Sequence, residues 1–243
     1  VKTFKRIVLG LLSVLLLISI GFVVWAETPL GPSPEALAAL ESDSNVTVTS
    51  DDFITFEPVG VKPTTAFIFY PGGRVDYRSY AAPLHAIAAQ GYLVVLVPVR
   101  LNLAFFDINA CATVLTQHPE IEHWVVGGHS LGGVASALFA KDQSQIEGIV
   151  FWASYPADDS LSNGELKMLS IYGTNDMAGM AKFDETRPLL VSDAEYVVID
   201  GGNHAQFGDY GPQPGDNEAG ISRADQQAQV VQATSDFLKE FSK

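Results

Sequence analysis

The chain has 243 residues, enough for one domain of the larger sort, and 47% of them are hydrophobic against 17% charged, which excludes a disordered chain. Its net charge of −14 repels nucleic acid and anionic headgroups, so neither is an expected partner. A single cysteine, Cys111, excludes an intrachain disulfide framework.

The first element differs in kind from the rest. Lys2, Lys5 and Arg6 precede an uncharged run of 19 residues, 7–25, and the first acid, Glu27, follows it. As a helix that run reaches roughly 28 Å, near the hydrocarbon thickness of a bilayer. The basic flank keeps the amino end cytoplasmic and sends the rest outside. Val24-Trp25-Ala26 offers a signal-peptidase site after Ala26, whereas the length of the run favours an uncleaved anchor. Residues 1–26 are therefore expected to be a signal peptide or membrane anchor, and the product is either tethered outside the cytoplasm or secreted. Without the leader, 11 basic residues face 28 acidic ones, a net charge of −17.

Residues 27–44 hold three prolines and a glycine between positions 28 and 34 and read as a linker, with a short helix over 35–41. From 45 to 243 short apolar runs alternate with helical ones. Strands are expected at 46–49, 53–57, 66–70, 92–97, 124–126, 149–153, 168–172 and 195–199, mostly as continuous β-branched or apolar runs, the mark of strands buried on both faces. Helices are expected at 80–90, 103–117, 131–141, 181–187 and 222–241, the last carrying an apolar stripe of Val230, Ala233, Phe237 and Phe241. Opening strands followed by βα alternation predict an α/β fold with a mostly parallel sheet flanked by helices and preceded by the hydrophobic helix.

Between the fifth strand and the helix after it stands Gly128-His129-Ser130-Leu131-Gly132, a match to the nucleophile elbow G-x-S-x-G. Glycines two positions either side of the serine remove side chains that would collide with neighbouring backbone, and the helix aims its first N–H groups at the reacting centre. Neither dinucleotide nor P-loop glycine spacing can be threaded through the segment, and no metal-ligand spacing occurs, so neither cofactor nor metal is expected. A serine needs a base held by an acid. His204, after the last strand, is the only histidine downstream of Ser130. For the acid, Asp176 follows the preceding strand and is preferred, with Asp200, Asp158 and Asp159 as alternatives. Oxyanion donors are expected from the Leu131 amide and from the loop Tyr70-Pro71-Gly72-Gly73-Arg74, at Gly73 or Arg74. Arg74 is a candidate partner for a substrate carboxylate, and Phe207 and Tyr210, in a long loop dense in Gly and Pro, are candidate pocket walls. His85, His118 and His123 read as structural.

The Tyr70–Gly73 loop, the Ser130 elbow, the loop from Gly173 to Asp176 and the Gly202-Asn203-His204 turn together make a resemblance. Over about residues 45–242 the chain resembles the α/β-hydrolase superfamily, and within it the small lidless bacterial hydrolases related to dienelactone hydrolases. That resemblance implies an eight-stranded sheet and a Ser130–Asp176–His204 triad that cleaves a carboxylic ester or related acyl bond. Dienelactone hydrolases proper use a cysteine nucleophile where this chain has Ser130, so their substrate is not carried over. The stretch 154–167 is too short for an inserted lid, which implies an open site for a small or protruding acyl ester. Acyl transfer or thioester hydrolysis by the same triad, and a non-catalytic binding module on the same fold, are the alternatives. The membrane is met only through the N-terminal segment, and the sequence leaves the oligomeric state open.

Overall fold

A computed structural model describes residues 2–242. Helix α1 (Lys2–Ala26) is exposed along its apolar length and closes on Ala26, which is buried against the body. The body carries eight strands: β1 (Val46–Ser50), β2 (Ile54–Pro58), β3 (Thr65–Tyr70), β4 (Leu93–Leu96), β5 (His123–His129), β6 (Ile146–Trp152), β7 (Lys167–Gly173) and β8 (Glu195–Ile199). They form one sheet in the order β1-β2-β4-β3-β5-β6-β7-β8, in which only β2 runs against its neighbours.

The central strands are apolar on both faces because helices cover both. Phe67, Phe69, Val125, Val150, Trp152 and Ile171 point to one side, where α3 (Ala81–Ala88) supplies Leu84 and Ile87 and α7 (Arg223–Leu238) supplies Val230 and Phe237. Their neighbours Ala66, Ile68, Val126, Ile149 and Phe151 point to the other, against α4 (Ala112–Gln117) and Phe139 of α5 (Leu131–Lys141). This alternation, two residues per repeat, turns a continuous apolar run into two core layers. Ser222 caps α7, its Oγ accepting the Asp225 N–H at 3.1 Å.

One expectation is corrected. The single helix expected over 103–117 is two pieces, a 3₁₀ turn at Ala104–Phe106 and then α4, with another 3₁₀ turn at Arg100–Asn102 just before them. Asp107 is the cause, since its carboxylate takes the Arg100 backbone N–H at 2.6 Å and the Arg100 guanidinium at 2.7 Å and holds the chain in a loop. Residues 27–44, read as a linker, are docked on the body. Ser33 N–H donates to the Asp209 carbonyl at 2.7 Å, Leu30 bridges to Val75, and Ala36 of helix α2 (Pro34–Ala38) is fully buried. A Pro-rich segment that fixes its own φ angles can lie on a surface with little further entropy loss.

Candidate active site

Ser130 joins β5 to α5 with φ 52° and ψ −119°, a conformation costly for any residue with a side chain. Hydrogen bonds hold it there: its N–H donates to the Trp152 carbonyl at 3.0 Å, and its carbonyl accepts from the Gly133 N–H at 3.0 Å and the Ser154 hydroxyl at 2.6 Å. The flanking glycines are a packing requirement. A Cβ on Gly128 would stand 2.6 Å from the Gly132 carbonyl oxygen, and one on Gly132 would fall on the carbonyl oxygens of Tyr70 and Pro71. The turn is thus wedged against the loop that follows β3.

That loop abuts the first turn of α5, a Cβ on Gly73 standing only 3.0 Å from Leu131 Cδ2. Its other amides are committed: Gly72 N–H donates to the Tyr80 hydroxyl at 3.1 Å and Arg74 N–H to the Asn102 carbonyl at 2.7 Å. Of the two donors considered in the loop, this leaves Gly73. Leu131, the first residue of α5, has an N–H with no partner inside the helix. The Gly73 turn thus packs on the side chain of Leu131, the residue that follows Ser130.

Past β7, Asp176 is buried, and its Oδ1 accepts the Ala178 N–H at 2.8 Å. Its Oδ2 lies 2.8 Å from Nδ1 of His204, itself buried in the loop after β8. In the neutral ring, Nδ1–H donates to the carboxylate and Nε2 is free to accept a proton. The His204 ring lies 4.5 Å from that of His129, the residue before Ser130. Asp200 and Asp158 sit apart from this pair: Asp200 accepts from the Thr174 hydroxyl at 3.3 Å and Asp158 from the Ser160 N–H at 3.0 Å.

The three candidate substrate contacts each have partners within the chain. Phe207 has no exposed surface and stacks on His129 at 5.6 Å with the rings 18° apart. Tyr210 is also buried, between Tyr80 and His129, and donates to Gln213 Oε1 at 3.0 Å. Both rings pack against His129, the residue before Ser130. Arg74 reaches the end of α1: its guanidinium donates to the Trp25 carbonyl at 2.9 Å and the Thr28 carbonyl at 2.8 Å.

Several supporting residues have no signature in the sequence. Asp216 receives the N–H groups of Met177, His204 and Ala205, tying the acid loop to the histidine loop. Gln226 of α7 takes the Asn203 N–H at 3.0 Å and donates to the Asn203 carbonyl at 2.8 Å. The Tyr80 hydroxyl bridges Gly72 to His129 Nδ1, 2.8 Å away. Burial, and secondly the nearby His204, push the His129 imidazole well below its usual range, so it stays neutral. Of these residues, only His129 lay within a motif visible in the sequence.

His118 and His123 meet the carboxylates of Glu120 and Glu147, each at 3.0 Å, away from this edge of the sheet. Among the described residues no group of three His, Cys, Asp or Glu side chains could hold a metal ion. A cavity of about 460 Å³ lies behind the histidine loop, lined by Ala205, Gln206, Gln213, Asp216 and Arg223, and Ser130 is not part of its wall. The connection from β6 to β7 contains no helix or strand that could cover the serine.

Residues 66–228 match the model of the alpha/beta hydrolase family. No curated protein matches the sequence. Among solved structures, the esterase domain of a Rhodothermus marinus protein superposes with a TM-score of 0.60 at 14% identity, covering 80% of this chain and 97% of that one. A predicted CIB-like hydrolase from Thermoplasma acidophilum gives 0.56 at 13% identity, covering 80% and 99%. TT1662 from Thermus thermophilus gives 0.58 at 12% identity, covering 79% and 98%. At such identities the likeness establishes the fold alone.

Proposed function

The chain belongs to the alpha/beta hydrolase family, and from that premise we propose that it is a serine hydrolase cleaving a carboxylic ester or related acyl bond. His204 Nε2 takes the proton of Ser130 as Oγ attacks the acyl carbon. The carbonyl oxygen becomes an oxyanion facing the amides of Gly73 and Leu131. Collapse of the tetrahedral adduct breaks the bond to the leaving alcohol, which receives the proton from His204. Water, deprotonated by the same imidazole, then attacks the acyl-enzyme and frees the acid. Asp176 fixes the tautomer and steadies the imidazolium.

The observation that carries this reading is the buried 2.8 Å pair of Asp176 and His204, whose imidazole lies 4.5 Å from the ring of His129, the residue before a serine held at positive φ. The Rhodothermus marinus domain, an esterase by name, lends the ester class. Through α1, whose uncharged run of 19 residues is long enough to cross a bilayer, we place the enzyme on the outer face of a membrane.

A panel of p-nitrophenyl esters and acyl thioesters tests the assignment, with product analysis in the presence of a competing alcohol. Ester hydrolysis that falls by several orders of magnitude in Ser130→Ala is expected. Near-wild-type turnover by Ser130→Ala defeats the mechanism, and acyl transfer to the alcohol outrunning hydrolysis defeats the hydrolase assignment.

A further inference from the structure

Helix α1 leaves the body at the edge of the sheet that carries Ser130 and His204. Its last turn is fastened to the residue directly after Gly73: the Arg74 guanidinium holds the Trp25 and Thr28 carbonyls and lies 4.4 Å from the Trp25 ring centroid. Asn102 Nδ2 donates to the Ala26 carbonyl at 3.0 Å, and Leu30 N–H to the Arg74 carbonyl at 2.9 Å. No free tether separates the apolar helix from the catalytic edge.

Beside this joint the turn Ala104–Phe106 presents two adjacent aromatic side chains to solvent, Phe105 at 47% and Phe106 at 45% exposure. The Phe106 ring lies 6.4 Å from that of Phe22, near the end of α1. On its inner side the same segment meets the oxyanion loop, where Leu103 Cδ2 would stand 3.7 Å from a Cβ on Gly73. One short strip thus connects the end of the apolar helix to the reacting centre. Phe22, Trp25 and Phe106 form an aromatic cluster, with exposed Phe105 next to it in the chain, at the point where the span would leave the hydrocarbon, the depth at which aromatic side chains are favoured.

We infer that α1 seats the catalytic edge against the bilayer surface, with Phe105 and Phe106 in its interfacial layer, and that the substrate is an acyl ester on an amphiphile resident there. The substrate half rests on the serine-hydrolase reading above. Because the body is strongly acidic, an uncharged or zwitterionic amphiphile is favoured over an anionic one. An open serine facing the interface reaches an ester at headgroup depth without enclosing the acyl chain.

The test uses the full chain in phosphatidylcholine nanodiscs, labelled with an environment-sensitive fluorophore at Phe105→Cys or, as control, at Val61→Cys. Val61 is exposed and precedes β3, at the opposite end of the sheet. Cys111 is buried and its thiol is pushed up to about 12 by burial, so the label goes to the introduced cysteine. Brominated phosphatidylcholine should quench the label at 105 and leave that at 61 unchanged. Equal quenching at both positions overturns the inference. So does shielding of position 105 from aqueous iodide without quenching by lipid, the result expected if a second copy covered it. In a second arm, Phe105→Asp with Phe106→Asp should lower kcat/KM on a bilayer-partitioned long-chain ester by about tenfold or more. Turnover of a water-soluble acetate ester should stay within about twofold, and equal losses on both esters contradict the interfacial role. Quenching requires no turnover, so intact quenching beside a wild type that hydrolyses no ester would sink the serine-hydrolase reading while the seating of the edge stood.

Discussion

Asp216 performs no chemistry in the proposed mechanism, yet its removal should slow catalysis. Its Oδ1 accepts the N–H of Met177 at 3.1 Å and of His204 at 3.3 Å, and its Oδ2 the N–H of Ala205 at 2.8 Å. One half-buried carboxylate therefore spans the two loops whose side chains meet as Asp176 and His204. A hydrogen bond to a charged group contributes about 1.5–3 kcal/mol when buried. Two of these three are long and one lies at the surface, so Asp216→Ala should cost about 2–4 kcal/mol in all. For a chain of this size that corresponds to a fall in Tm of roughly 4–16 °C. Asp216→Asn keeps one acceptor oxygen, and either orientation sets its amide N–H against a backbone N–H, so about half the loss is expected. If the two loops relax by as little as about 1 Å, kcat drops by up to about 100-fold, while KM moves less than about threefold. Thermal melts and steady-state kinetics on a water-soluble ester, run well below Tm, read both quantities. A variant that loses the expected stability but keeps kcat within about twofold would refute the argument, because the loops would then hold their geometry without the carboxylate.

Other outcomes follow from the same geometry. Gly132→Ala places a methyl group on the carbonyl oxygens of Tyr70 and Pro71, which are backbone and cannot turn aside; a loss of more than about 2 kcal/mol is expected by denaturant unfolding, and wild-type stability would contradict it. His129 is held neutral by burial, so below about pH 6.5 the unfolded chain binds a proton that the native ring refuses, and stability falls by up to about 1.4 kcal/mol per pH unit from this one group. Urea titrations at pH 7 and below 6 should show a shallower decline for His129→Gln, and equal declines would argue against a buried neutral ring. Arg74 is committed to the end of α1, so Arg74→Ala should leave the ratio of activities on neutral and carboxylated esters unchanged. Selective loss on the carboxylated ester would restore the pairing proposed from sequence.

The strands were legible because burial on both faces writes itself as uninterrupted apolar and β-branched runs, and the elbow because its glycines answer a local collision. What depended on contacts distant in sequence was hidden. The break in the helix expected over 103–117 comes from Asp107 closing on Arg100, which hydrophobic periodicity does not register. The packing of Phe207 and Tyr210 on His129 is likewise hidden, because the chain displays their glycine-rich neighbours and not a residue about eighty positions away. Asp216, in a loop of similar composition, has no local feature that reveals the N–H groups it receives from two other loops.

The central claim is that Ser130 is an activated nucleophile, and intact-mass analysis after treatment with a fluorophosphonate tests it most directly. Wild-type full chain should gain one adduct, mapped by peptide sequencing to Ser130, and folded Ser130→Ala should gain none. An unlabelled wild type shown to be folded, or equal labelling of both proteins, would contradict the account.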